Sequence, residues 1–264
     1  MSPTRRPALT ALAALVPLLV AAPLVAQSVT IESLLSAPFP SGMTAAPAGG
    51  HIAWLSNDEG VRNIWVASPP DYSARMLTSY DADDGRELGG LTWSADGATL
   101  VFSRGGGRNR AGEFANPNSD PAGASQALWR IDVDGGKAVR IGGGSGAAPS
   151  PGNDVVAFTR DDQVWTAPLR GAEAEPEELF RVRGGAGSLR WSPDGDKLAF
   201  VSGRGDHSFV GVYHLAAKSI TWMAPSVDED VSPAWSPDGS RIAFLRIPAS
   251  TELTLFKPVR TATP

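Results

Sequence analysis

Short runs of alternating apolar and polar positions recur along the chain, separated by stretches rich in Pro, Gly, Asp and Ser. Period-two alternation marks half-buried strands. Helical periodicity is scarce, and only Ile31 to Leu35 is expected to form a short turn, capped by Thr30. Three segments share one frame. Trp93-Ser94-Ala95-Asp96-Gly97 runs into Leu100-Val101-Phe102, Trp191-Ser192-Pro193-Asp194-Gly195 into Leu198-Ala199-Phe200, and Trp235-Ser236-Pro237-Asp238-Gly239 into Ile242-Ala243-Phe244. Weaker copies are Ala46 to Gly50 before Ile52-Ala53-Trp54, and Ser150 to Asn153 before Val156-Ala157-Phe158. The anchors at 54, 102, 158, 200 and 244 are one four-stranded blade apart, which is the mark of a repeat architecture.

The chemistry of the segment explains its recurrence. Proline presets φ at the first central position of a turn, Asp bonds its own backbone ahead, and Gly takes the left-handed position. Such a turn joins an inner strand ending at the Trp to a second strand carrying the Ile/Leu-x-Phe triplet. On that second strand the ring faces one side, and Ala53, Val101, Ala157, Ala199 or Ala243 faces the other. Stacked sheets can then set the ring of one over the small residue of the next. Third strands are predicted at 63–66, 127–131, 163–166 and 211–215, and fourth strands at 75–77, 138–141, 178–180 and 220–223. Seven of the eight tryptophans fall at repeated positions, which assigns them to packing. The fifth unit has an inner strand, a second strand and a candidate third at Leu253 to Phe256. The expected fold is therefore all-β: a β-propeller of four-stranded blades, about five present and the ring incomplete.

Composition narrows the setting. Arg5 and Arg6 precede an apolar stretch from Ala8 to Leu24, and small residues lead to a cut after Ala26, the pattern of a secretory signal peptide over 1–26. The stretch is short and carries Pro17 and Pro23, which argues against a spanning helix. The remaining 27–264 is expected to be exported, periplasmic or secreted, with no membrane attachment after cleavage. The chain has no Cys, so an oxidising compartment adds no staples. A net charge of −5 argues against a nucleic-acid partner.

The repeat Trp-Ser-Pro-Asp-Gly-x-x-Ile/Leu-Ala-Phe resembles that of TolB-like propellers. It also resembles the N-terminal propellers of the prolyl oligopeptidase family, which includes dipeptidyl and acylaminoacyl peptidases. The segments outside the repeat favour the peptidase family. An insertion over 103–126, with Arg104-Gly105-Gly106, Asn109-Arg110 and Asn116 to Pro121, is similar to one in its bacterial exported members; Asp83 to Leu88, Arg204 to Phe209 and Asp228 to Pro233 are also similar to that group. The resemblance implies a substrate-gating propeller over a C-terminal α/β-hydrolase domain that supplies Ser, Asp and His and acts on short peptides. Such a domain is absent from these 264 residues. There is no Gly-x-Ser-x-Gly; Gly143-Gly144-Ser145-Gly146-Ala147 misses its last Gly. No catalytic residue is carried over, and the expectation is a non-catalytic, truncated portion of a serine peptidase. The alternative is a stand-alone TolB-like module that binds proteins in the cell envelope.

The remaining chemistry is sparse. His51, His207 and His214 lie in no recognisable catalytic context, and Asp81-Ala82-Asp83-Asp84-Gly85 is one residue short of a calcium loop and lacks its distal Glu. No metal or cofactor is expected. Arg204-Gly205-Asp206 is read as a hairpin turn. Two acidic clusters, Asp83, Asp84 and Glu87, and Asp228, Glu229 and Asp230, precede inner strands and could ring a channel mouth that attracts a peptide amino terminus. In the insertion, Arg104, Arg108 and Arg110 could meet a peptide carboxylate or an adjoining hydrolase domain; a long loop of this kind is otherwise disordered.

Overall fold

Strand follows strand with short turns between them, and each group of four closes into one antiparallel sheet. The computed structural model describes residues 30–31, 36, 38–116, 119, 121, 123–171 and 174–249. The basic and apolar segment over 1–26 and the third strand expected at Leu253 to Phe256 lie outside the described residues, as do residues 32–35 of the expected helical turn. Contacts divide the chain into Met1–Ser36 and Ala37–Pro264, and every strand lies in the second unit.

The first sheet comprises β1 (Phe39–Ala45), β2 (Ile52–Asp58), β3 (Val61–Ala67) and β4 (Arg75–Met76). The second comprises β5 (Leu88–Trp93), β6 (Thr99–Arg104), β7 (Ala127–Asp132) and β8 (Val139–Gly143). The third comprises β9 (Ser145–Pro149), β10 (Val155–Arg160), β11 (Gln163–Pro168) and β12 (Glu177–Phe180). The fourth comprises β13 (Gly185–Trp191), β14 (Lys197–Gly203), β15 (Ser208–His214) and β16 (Ser219–Trp222). A fifth pair, β17 (Glu229–Trp235) and β18 (Ile242–Ile247), joins the fourth sheet by one parallel bridge between Ser208 and Glu229. All other pairings are antiparallel between consecutive strands, which is the meander of a propeller blade. Among the described residues no strand of the fifth pair bonds to the first sheet, so the ring is open.

The ring-on-small packing expected of the second strands holds three times. Phe102 packs in one cluster with Ala53, Phe158 with Val101, and Phe200 with Ala157, all six fully buried. Burying a phenylalanine is worth about 2–3 kcal/mol, so these contacts are the main adhesive between blades. Directly across each pair of middle strands lies a second ring: Trp54 opposite Trp65, Phe102 opposite Trp129, Phe158 opposite Trp165. In the fourth blade that position is Gly211, opposite Phe200, and Trp222 on the outermost strand fills the space. A β-carbon on Gly211 would come within 2.5 Å of the Phe200 ring and 3.0 Å of Trp222. The eighth tryptophan therefore does the work of the other third-strand tryptophans from the neighbouring strand.

The tryptophans that end inner strands also tie blades together. Trp93 Nε1 donates to Thr44 O at 3.4 Å, Trp191 to Ala148 O at 2.8 Å and Trp235 to Arg190 O at 3.0 Å. Each donor reaches the inner strand of the preceding blade. The turns that follow are built on serine: Ser192 Oγ donates to Asp194 at 2.5 Å and accepts from Lys197 N at 3.0 Å, and Ser94 and Ser236 repeat the arrangement. In the third blade Asn153 takes the left-handed position at φ 59°, where Gly97, Gly195 and Gly239 stand elsewhere.

Candidate functional site

A four-stranded meander places the start of its first strand and its second-to-third turn on one face. The connection to the next blade lies there too, and the Trp-Ser-Pro-Asp-Gly turns occupy the opposite face. The segments 81–87, 204–209 and 228–230 and the described residues of 103–126 therefore gather on a single face. Backbone bonds confirm the grouping: Gly105 N donates to Glu87 O at 2.8 Å, Ala186 N to Asp162 O at 2.8 Å and Ser208 N to Asp228 O at 3.3 Å. All nine residues nominated from the sequence lie on this face, in two separate groups.

The first group surrounds the connection between blades one and two. Asp83 pairs with Arg62 of β3 at 3.1 Å and accepts from Gly85 N at 3.0 Å. Asp84 pairs with Arg104, whose guanidinium lies 3.9 Å above the Tyr80 ring. Burial, the largest influence on Tyr80, raises its phenol pKa. Glu87 lies beside Gly106. The insertion begins as a small hairpin, with a bridge between Arg108 and Phe114 and with Asn109 Oδ1 accepting from Ala111 N and Glu113 N at 2.9 and 3.0 Å. Arg108 covers the Phe114 ring at 4.2 Å, donates to Gly112 O at 2.7 Å and reaches Asp161 of the third blade at 4.0 Å. Arg110 is exposed at the tip.

The second group lies at the start of β17. Asp230 is fully buried and is held by Arg246 through two bonds, of 2.7 and 2.9 Å, and this carboxylate raises the Arg246 pKa. Asp228 accepts from Ala249 N and Ser226 Oγ, at 2.9 and 3.0 Å, which lowers its pKa. Glu229 is exposed. Glu87, Glu229 and Arg110 make no ion pair among the described residues. The sequence marks the acidic clusters and Arg104 but not the partners Arg62 and Arg246, which stand 21 and 16 residues away. Arg204, read from the sequence as part of a hairpin turn, also lies against two aromatics that follow it, Phe209 and Trp222.

No nucleophile, base and acid meet among the described residues. His51 Nδ1 lies 2.8 Å from Ser68 Oγ, and its ring stacks on Trp93. His207 pairs with Asp206 at 2.7 Å and packs on Phe209, and His214 Nε2 lies 3.1 Å from Thr221 Oγ1.

No protein-family model matches the chain. An uncharacterised protein of Agrobacterium fabrum is 31% identical over 128 residues, which is 40% of this chain and 43% of that protein. The chain thus spans less than half the length of this curated relative. Solved structures share the fold at low identity. TolB from Acinetobacter baumannii superposes with a TM-score of 0.53 at 19% identity, covering 78% of this chain and 48% of that one. A puromycin-hydrolyzing peptidase from Mycobacterium tuberculosis gives 0.55 at 17%, covering 79% and 35%. The β-propeller domain of the trilobed protease from Pyrococcus furiosus, which has an open velcro topology, gives 0.51 at 14%, covering 74% and 61%. The fold is therefore a propeller of the kind seen in TolB and in peptidases.

Proposed function

We propose that this chain is the non-catalytic, substrate-gating propeller of an exported serine peptidase of the prolyl oligopeptidase family. In this reading it works with an α/β-hydrolase domain, normally part of the same polypeptide, on short peptides. The observation that carries the reading is the division of labour between its faces. One face carries the repeated Trp-Ser-Pro-Asp-Gly turns, whereas the segments that resemble the peptidase family all converge on the other. On that face, Asp83, Asp84, Asp228 and Asp230 with Arg62, Arg104 and Arg246 fix the connections. Of the nine nominated residues, Glu87, Glu229 and Arg110 are the ones left to meet a peptide, and Arg108 tethers the insertion across to the third blade. Export rests on the 1–26 segment. The likeness to TolB supports a second reading, a protein-binding module of the envelope.

A fluorophosphonate probe and a peptide series separate these readings. The polypeptide containing this chain, isolated from the envelope fraction, is expected to take up the probe and to cleave short peptides in preference to folded proteins. The 264-residue chain alone is expected to stay unlabelled. Labelling of the isolated chain would overturn the non-catalytic assignment. An intact polypeptide without label or peptide hydrolysis would leave the envelope module as the function.

A further inference from the structure

We infer that Arg204 is a binding site for a carboxylate on the loop face of the fourth blade. Four other arginines of this face have carboxylate partners, Arg62 with Asp83, Arg104 with Asp84, Arg108 with Asp161 and Arg246 with Asp230, and the Arg160 guanidinium lies over the Trp165 ring. Arg204 has no carboxylate within ion-pair distance among the described residues, and its Nε is buried without any hydrogen-bond partner. The guanidinium carbon lies 5.5 Å from the centre of the Phe209 ring and 5.5 Å from that of Trp222, and those rings meet edge to face at 6.0 Å. Its backbone is fixed as well, since Arg204 N donates to His207 O at 2.9 Å across the turn.

This arrangement differs from a solvated surface arginine. Two rings hold the planar fork and strip part of its water, and a guanidinium so placed gains from an anion that water no longer supplies. A cation withdrawn from water without a counter-charge is costly, and an incoming carboxylate removes that cost. The planar fork matches the two oxygens of a carboxylate in a bidentate pair. The neighbouring charges include the exposed Asp206 and its partner His207, whose ring lies tilted against Phe209 with centroids 4.8 Å apart. Asp206 is turned to His207 and leaves the arginine open.

The source of the carboxylate is a peptide C-terminus if the gating reading holds, or an acidic side chain of an adjoining domain. Titration of the ¹⁵N-labelled 264-residue chain distinguishes them. The probes are N-acetyl-Gly-Phe with a free carboxylate, its C-terminal amide, and N-acetyl-Asp-amide. The Arg204 Nε–H resonance, identified by its absence in Arg204→Gln, is expected to shift saturably with a free carboxylate and not with the Gly-Phe amide. Arg204→Lys, checked for folding by its backbone amide spectrum, is expected to bind at least 10-fold more weakly, and Arg241→Gln, an exposed arginine on the opposite face, to bind as the parent does. Binding of N-acetyl-Asp-amide alone would support the site and assign it to an acidic side chain. No saturable shift with either carboxylate, or an equal shift with the amide, would overturn the inference. Probe labelling and peptide cleavage by the whole polypeptide are read separately, so a negative titration leaves the gating reading to its own test.

Discussion

Ser94, Ser192 and Ser236 each sit where the chain reverses and each bond both to the Asp two residues on and to a backbone N–H five residues on. Proline, aspartate and glycine have roles in this turn that can be read from the letters alone. The serine does not, because its second bond crosses to the following strand. Ser192 is fully buried, so Ser192→Ala leaves Lys197 N without its side-chain acceptor. That substitution is expected to cost about 1–3 kcal/mol, measured by urea unfolding. The glycines of the turn are not equivalent either. Gly97 has φ +72°, and a β-carbon there would lie 2.2 Å from Ala48 O, whereas at Gly195 (φ +77°) the nearest atom would be 3.9 Å away. Gly195→Ala is expected to cost about 1 kcal/mol, the left-handed penalty alone, and Gly97→Ala clearly more. The aspartates make the turns acid-sensitive. Asp96 is lowered to about 2 by Arg170 and then Ser94, and Asp238 to about 2 by Ser236 and then Ser240. Both lie below the ordinary 3.8, so their stabilisation is complete above about pH 4. It is lost as pH falls through 2. Urea midpoints should fall over that window, and Asp238→Asn should flatten part of the slope.

Between strands, what was legible followed periodicity and what was not depended on register. The second-strand triplets announce their own two faces, and the buried pairs Ala53 with Phe102, Val101 with Phe158 and Ala157 with Phe200 follow from them. The exchange of Gly211 for Trp222 could not be read, because it needs the pairing of β15 with β16 residue by residue. For the same reason the acidic clusters and Arg104 are visible as segments, while the pairing of Asp84 with Arg104 and the partners Arg62 on β3 and Arg246 on β18 are not. Position in the stack sets the value of each ring. Phe158→Ala opens a cavity between two complete blades and is expected to cost about 3–5 kcal/mol. Trp54 holds the equivalent place on the first blade but is only partly buried, stacking on Trp65 with ring centres 6.4 Å apart. Trp54→Ala is therefore expected to cost about 1 kcal/mol. Equal losses in chemical denaturation would show that the first blade's outer face is covered in solution.

Because each blade touches only its neighbours, stability along the arc behaves as a chain of nearest-neighbour terms, with the ends weakest. The third blade has the Phe158 interface on one side and the Phe200 interface on the other. Among the described residues the fifth pair meets only the fourth blade. Its ties include a single strand bridge, the Trp235 bond, Ser208 Oγ donating to Asp230 O at 2.7 Å, and Arg246, which reaches Ala224 O at 2.6 Å while holding Asp230. Its other side leaves Leu245 and Ile247 62% and 51% exposed, as Met76 is at 51% on the outer side of the first blade. Local opening free energies range from near zero at such margins up to the global value in the core. In native-state hydrogen exchange, amides of β10 and β11 should therefore exchange last, through global unfolding, and those of β17 and β18 first. Asp230→Ala should accelerate β17 and β18 further, since it removes the two short bonds that Arg246 makes to that carboxylate and leaves it Asp228 at 3.9 Å, while leaving β10 and β11 unchanged until global unfolding dominates. If β18 proved as protected as β10, the arc would have to be closed against another surface, and independent blade-to-blade terms would not describe this fold.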